Sequence, residues 1–235
     1  MNLAVALVGL FATTSANATV LFSDNFETSG PADAQLKAPW EMSKQVFTSS
    51  GGYVGGYYPG TTFGPNAIVA GGANGSAFSG KVWPDYGYSP DWVNGNRIAV
   101  NLLVSKAGLT TEDIASGTIR FDFDYLRDPN PGANAQAYGF IKLLSSNYAD
   151  TYATRTFQLA SSGDWLHGFV DMTFDGTQTG LNLQWGITVS DSNYSSGAGV
   201  KIDNVVVASV PEPSVASLLG FGTLGLVATR FRRRS

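Results

Sequence analysis

The chain is 235 residues long, with 28 Gly, 10 Pro, no Cys and one His, and it carries 14 Lys+Arg against 18 Asp+Glu. That length supports one sizeable domain with appendages, and 43% hydrophobic residues are enough for a packed core. The missing cysteines exclude disulfides, thiolate zinc sites, iron–sulfur clusters and cysteine nucleophiles, a single histidine excludes a multi-histidine metal centre, and the acidic balance argues against nucleic acid as a partner.

In chain order, residues 1–18 come first, with no charge, an apolar run from Leu3 to Ala12 and a closing Ala16-Asn17-Ala18. An apolar run too short for a bilayer, ended by small-x-small, reads as a signal peptide cut by signal peptidase. Residues 19–209 form the next unit. Runs at Val20–Phe26, Ile98–Val104, Ile119–Tyr125, Tyr138–Leu144, Arg155–Leu159, Trp165–Phe174, Leu181–Val189 and Val200–Ala208 are strand-like. The clearest is Leu181, Leu183, Trp185, Ile187 and Val189, alternating with Asn182, Gln184, Gly186 and Thr188, a period of two with one dry face. Ile119, Phe121, Phe123 and Tyr125 alternate with Arg120, Asp122 and Asp124 in the same way. A short helical turn is expected around Leu109–Ala115, capped by Thr110 or Thr111. Many short strands joined by Gly/Asn/Asp/Ser turns predict an all-β fold, an antiparallel β-sandwich of jelly-roll type.

Residues 48–96 break this rhythm with dense Gly, Tyr, Pro, Trp and Asn. They read as long loops interrupted by short strands at Ala67–Ala70 and Ala77–Val82. A sugar ring has an apolar face and a polar rim, so flat aromatics beside amide and hydroxyl donors suit it. Tyr57, Trp83, Tyr86 and Trp92 are the candidate carbohydrate-binding residues, although such rings also pack under long loops as a satellite core.

Two acidic signatures bracket the predicted sandwich: Asp24-Asn25-Phe26-Glu27 on the first strand and Ile202-Asp203-Asn204-Val205 on the last. This opening and closing resemble the jelly-roll carbohydrate-binding modules of the family-four and family-nine type and galactose-binding-like domains. The resemblance implies a structural Ca²⁺ held by Glu27 and Asp203, with Asp24 less securely placed. Calcium accepts such carboxylates together with backbone carbonyls. The alternative is that these acids only terminate strands.

At the C-terminus, Pro211-Glu212-Pro213 precedes sixteen uncharged residues, Ser214–Thr229, and then Arg230, Arg232, Arg233 and Arg234. As a helix, that span would cover about 24 Å, slightly short of a ~30 Å hydrocarbon core, with the arginines on the cytoplasmic side. The three parts in this order resemble the PEP-CTERM sorting signal of Gram-negative exopolysaccharide-producing bacteria. The resemblance implies residues 210–235 as a sorting segment, transient insertion in the inner membrane and processing by an exosortase. Delivery would then be to the cell surface or extracellular matrix. Without both ends the chain keeps 10 basic against 17 acidic residues, a balance of −7.

Catalytic signatures are weak. Asp122 and Asp124 share one strand face about 7 Å apart, but an Arg-Phe-Asp-Phe-Asp alternation is more simply a solvated face. His167 has neither a G-x-S-x-G elbow nor metal-ligand spacing beside it. The sequence therefore predicts an exported, non-enzymatic protein associated with exopolysaccharide or biofilm. A carbohydrate-binding module is the alternative, and a glycan hydrolase or lyase a more distant one.

Overall fold

The computed structural model describes residues 18–28, 38–60, 67–83, 95–131, 134–191 and 199–210. Residues 1–17 of the predicted signal peptide and the Pro-Glu-Pro tail with its arginines lie outside the described residues. The described residues form twelve strands: β1 (Val20–Asp24), β2 (Glu41–Phe47), β3 (Tyr53–Gly60), β4 (Ile68–Ala70), β5 (Phe78–Val82) and β6 (Arg97–Lys106). They continue with β7 (Thr118–Arg127), β8 (Gln136–Leu144), β9 (Thr151–Gln158), β10 (Leu166–Thr173), β11 (Asn182–Asp191) and β12 (Val200–Ser209). All pairings among them are antiparallel. One sheet runs β10-β7-β12-β5-β4 with β1 also paired to β12; the other runs β3-β2-β6-β11-β8-β9.

The core is the space between the two sheets. Phe121, Phe123 and Tyr125 of β7 and Ile202 and Val207 of β12 face Val100, Leu102, Trp185, Ile187 and Ile141 of the other sheet, all buried in one cluster. Large side chains meet small ones across the gap. The Phe123 ring lies over Gly139 so closely that a Cβ there would fall 2.5 Å from its Cζ. At one end Phe22 packs edge-on to Trp40 at 5.5 Å and Phe26 stacks on Trp40 at 5.4 Å, tying the N-terminal segment to the core.

The predicted strands at Ala67–Ala70 and Ala77–Val82 correspond to β4 and β5, while β2 and β3 are additions to the sequence reading. In β2, Met42, Lys44 and Val46 share the core-facing side, because they pair with Leu102, Val100 and Ile98 of β6, respectively. A lysine on that side hides the alternation. β3 contains Gly55, Gly56, Pro59 and Gly60, residues that argue against a strand anywhere but an edge, and β3 is an edge. The expected helix at Leu109–Ala115 is a run of turns instead. Thr110 does cap it: Thr110 N donates to Asp113 Oδ2 at 2.8 Å and Asp113 N to Thr110 Oγ1 at 3.2 Å, a reciprocal capping box closing a turn too short to propagate.

Gly186 sits in the middle of β11, opposite Leu103 of β6 and Phe140 of β8. A Cβ at this position would run into the Leu102 carbonyl oxygen and lie 2.8 Å from Leu103 Cα, atoms of a paired strand that cannot swing aside. Gly186→Ala is expected to lower unfolding free energy by about 1–3 kcal/mol. Gly163→Ala, where nothing lies within 4 Å, should be neutral or gain up to about 1 kcal/mol. Urea midpoints of the two variants check the contrast.

Candidate functional site

Strict alternation along the β3-β2-β6-β11-β8-β9 sheet places a polar set opposite the core. Gln184 is paired with Ser105 of β6 and Lys142 of β8, while its neighbours Leu183 and Trp185 face inward. Lys142 in turn pairs with Thr154 of β9, so Ser105, Gln184, Lys142 and Thr154 form one row across four strands. The next row holds Glu41, Leu103, Gly186, Phe140 and Thr156. Leu103 and Phe140 are buried there, and Gly186 leaves no side chain between them. The outer face thus carries a closed apolar row beside a row of amide, hydroxyl and charged side chains.

The polar row borders a cleft of about 510 Å³ lined by Glu41, Gln45, Ser105, Lys142 and Gln184, with Leu144 and Tyr148 as its apolar surface. Gln184 Nε2 donates to Ser105 Oγ at 3.1 Å, which fixes the amide. Deeper in the same face, Asn101 Nδ2 donates to Ser43 Oγ at 3.0 Å, both residues buried. Lys142 Nζ lies 4.6 Å from the centroid of the Phe140 ring. Burial pulls the Lys142 ammonium below the usual lysine range. Sequence reasoning missed every one of these residues, reading the polar half of each alternation as plain solvent-facing surface. The one available signal was that three long side chains capable of hydrogen bonding, Gln45, Lys142 and Gln184, occupy such positions in sheet strands.

Of the aromatic candidates, Tyr86, Trp92 and the side chain of Tyr57 lie outside the described residues. Trp83 lies elsewhere, at the end of β5, under Lys81 Nζ at 5.1 Å from its centroid. It helps line a separate cavity of about 330 Å³ with Lys81, Asp128 and Lys201.

The acidic brackets converge. Only Asp24 of the first motif is in a strand. The chain then turns through Phe26, a buried residue at φ 61°, held by Phe26 N donating to Asp24 Oδ1 at 2.7 Å. Asp24 Oδ2 accepts Trp40 Nε1 at 2.7 Å, so this carboxylate is occupied. Glu27 accepts Phe78 N at 3.1 Å, and Asp203 Oδ2 accepts Ala73 N at 2.8 Å, so both reach the 71–79 segment between β4 and β5. Asp203 is fully buried, beside a bulge in β12 where Asn204 takes φ 48° and donates its N–H to Asp203 Oδ1 at 2.7 Å. Burial raises the Asp203 carboxyl above the ordinary aspartate range, and Glu27 adds to the rise, against hydrogen bonds from Asn204, Ala73 and Ser76 that lower it.

A Cβ on Gly72 would meet Asp203 Oδ2 and lie 2.5 Å from the Phe78 carbonyl oxygen. Two oxygens of the hard type that calcium takes therefore border this position, together with Ser76 Cβ. Among the described residues no three His, Asp or Glu side chains are disposed to hold a metal ion, so main-chain carbonyls would have to complete any such shell.

Asp122 and Asp124 lie on the face of β7 turned from the core, in cross-strand pairs. Asp124 Oδ2 accepts both Asn204 Nδ2 at 2.9 Å and Asn74 Nδ2 at 3.3 Å, and Asp124 Oδ1 meets His167 Nδ1 at 3.2 Å. His167 Nε2 lies 3.4 Å from Asp122 Oδ2, and Arg120 makes a two-pronged pair with Asp171 at 2.7 and 2.8 Å. These carboxylates serve donors across the sheet.

No protein-family profile matches the chain, and no curated protein does. Solved structures do. The N-terminal CBM22-1-CBM22-2 tandem domain of Paenibacillus barcinonensis Xyn10C is 14% identical, with TM-score 0.47, covering 83% of this chain and 50% of that one. TmCBM61 in complex with β-1,4-galactotriose is 14% identical at TM-score 0.39, covering 80% and 94%. The enzymatically active domain of bacteriophage CBA120 tailspike protein 4 is 10% identical at TM-score 0.41; 78% of this chain spans 20% of that one.

The Asp203 environment gives a signed pH dependence. Its raised folded-state pKa means that the native protein holds this proton more tightly than the unfolded chain. The Asp203 contribution to stability should fall as pH rises from the ordinary aspartate pKa through the raised value. In chelator, urea midpoints across that window should decline in the wild type more steeply than in Asp203→Asn. Parallel profiles would contradict it.

Proposed function

We propose that this chain is a non-catalytic, polysaccharide-binding β-sandwich of the cell envelope or extracellular matrix. The observation that carries the reading is the 510 Å³ cleft on the outer face of the six-stranded β3-to-β9 sheet. Its apolar lining is Leu144 and the exposed ring of Tyr148, and Glu41, Gln45, Ser105 and Gln184 offer partners for hydroxyls. A pyranose chain has the matching pattern, with apolar C–H faces and hydroxyl edges, and an elongated sheet face accepts several sugars in line. Rigid strands hold these groups before ligand arrives, which lowers the ordering cost of binding. Export rests on the sequence at the two ends: the Ala16-Asn17-Ala18 pattern and the Pro211-Glu212-Pro213 tail with its arginines support signal peptidase and exosortase as partners. The binding reading is preferred over a purely structural matrix role because a structural wall has no need of a sunken, amide-lined groove.

Glu27 and Asp203 would hold a structural Ca²⁺ with main-chain carbonyls near Gly72. The ion would supply the positive charge that two neighbouring carboxylates lack, fastening the turn after β1 to β12 and the β4–β5 segment. With excess Ca²⁺ at a hundredfold over Kd, stabilisation is about 2.7 kcal/mol, or a Tm rise of about 5–10 °C for a domain of this size. Thermal melts in Ca²⁺ and in chelator read it directly, and Asp203→Ala should eliminate the difference. Equal melting temperatures for the wild type in the two buffers would remove calcium from the account.

Binding is tested by affinity electrophoresis and calorimetry of the full chain against neutral and acidic polysaccharides. Gln184→Ala is expected to weaken the bound polymer about fivefold or more, as for one lost hydrogen-bonding side chain of about 1 kcal/mol. Absence of binding to every polymer, or affinity untouched in Gln184→Ala, would overturn the assignment.

A further inference from the structure

We infer that the sugar chain taken by this cleft is acidic, and that Lys142 is the group that recognises its carboxylate. This rests on the polysaccharide-binding reading and adds the chemical class of the ligand. Lys142 stands on β8 in the polar row with Gln184 and Ser105, its ammonium held 4.6 Å over the Phe140 ring. The ring and the half-buried stem fix where the charge sits. Among the described residues Lys142 makes no ion pair.

Glu41, the acid on the cleft wall, belongs to β2, three strand spacings away across β6 and β11, or about 14 Å. That is a backbone separation, and among the described residues no ion pair joins the two side chains. The cleft thus presents one uncompensated cation at one flank and a hydroxyl-accepting carboxylate at the other.

A half-buried ammonium without a counter-charge is costly, and an anion from the ligand would relieve that cost. The single cation fits one carboxylate per stretch of chain. A densely sulfated polymer would bring further negative charge toward Glu41 and toward a domain that is already acidic. A uronate flanked by neutral sugars meets both flanks: its carboxylate at Lys142, and a neighbour's hydroxyls at Glu41 and Gln45.

The test uses the full chain with gellan, xanthan, hyaluronan and alginate, each in native and carboxyl-reduced form, and with dextran sulfate. For the polymer that binds, the native form should bind about tenfold more tightly than its carboxyl-reduced form, the worth of one charge-assisted hydrogen bond. Lys142→Gln should bring that ratio to about one, and Lys142→Arg should keep most of it. Equal binding of native and reduced polymers by the wild type would overturn the inference while leaving the binding reading intact, and it needs no variant to fold. Tighter binding of dextran sulfate than of any uronate polymer would also overturn it. So would a preference lost in Lys201→Gln, beside Trp83, and kept in Lys142→Gln. Failure to bind any of these or any neutral polymer would overturn both readings together.

Discussion

The packing of β6 against β11 is the constraint on which the rest of the molecule depends. Gly186 lets the two strands pair at a spot where any side chain would strike the Leu102 carbonyl. That register decides which half of β11 is dry. Trp185, Ile187 and Val189 go to the core, and Gln184 and Thr188 go to the other face. A shift by one residue would reverse every assignment at once, burying the amide and exposing the indole. The same register sets Ser105, Gln184 and Lys142 side by side in the wall of the cleft. Fold and candidate site are therefore two consequences of one close approach.

The opposite sheet solves a different problem. Its strands come from both ends of the domain, with β1 and β12 adjacent in space and far apart in sequence. Asp203 is buried at a bulge of β12 and takes N–H donors from its own strand and from the β4–β5 connection. Burying a carboxylate this way is costly, and Glu27 increases the cost. Two residues near this closure, Phe26 and Asn204, hold positive φ angles that non-glycine side chains rarely adopt. That closure is where the Ca²⁺ proposed above would act.

Much of this was legible in the sequence because alternation reports burial directly. The rows at Ile119–Tyr125 and Leu181–Val189 correspond to β7 and β11, and the acidic brackets reach the same loop segment. What was not legible has physical reasons. β2 carries Lys44 among its core-facing positions, which breaks the period, and β3 is glycine-rich because it is an edge. The cleft was invisible for a subtler reason. Alternation separates wet from dry positions along one strand, but a concave polar surface is a property of four strands side by side. Gln184, Ser105 and Lys142 are far apart in sequence, and only the β6-β11-β8 register makes them neighbours. Aromatic content drew attention to residues 48–96 instead, and of the four sugar-binding candidates there, the one whose side chain is described, Trp83, lines a different cavity.

The most direct test of the central claim is backbone amide chemical-shift mapping of the ¹⁵N-labelled protein titrated with oligosaccharides of the polymer it binds. The account predicts perturbations grouped at Gln45, Ser105, Lys142 and Gln184, on four strands of one sheet face, with Lys81 and Lys201 beside Trp83 unmoved. Perturbations centred on Lys81, Trp83 and Lys201, with the β2-β6-β11-β8 face silent, would contradict it.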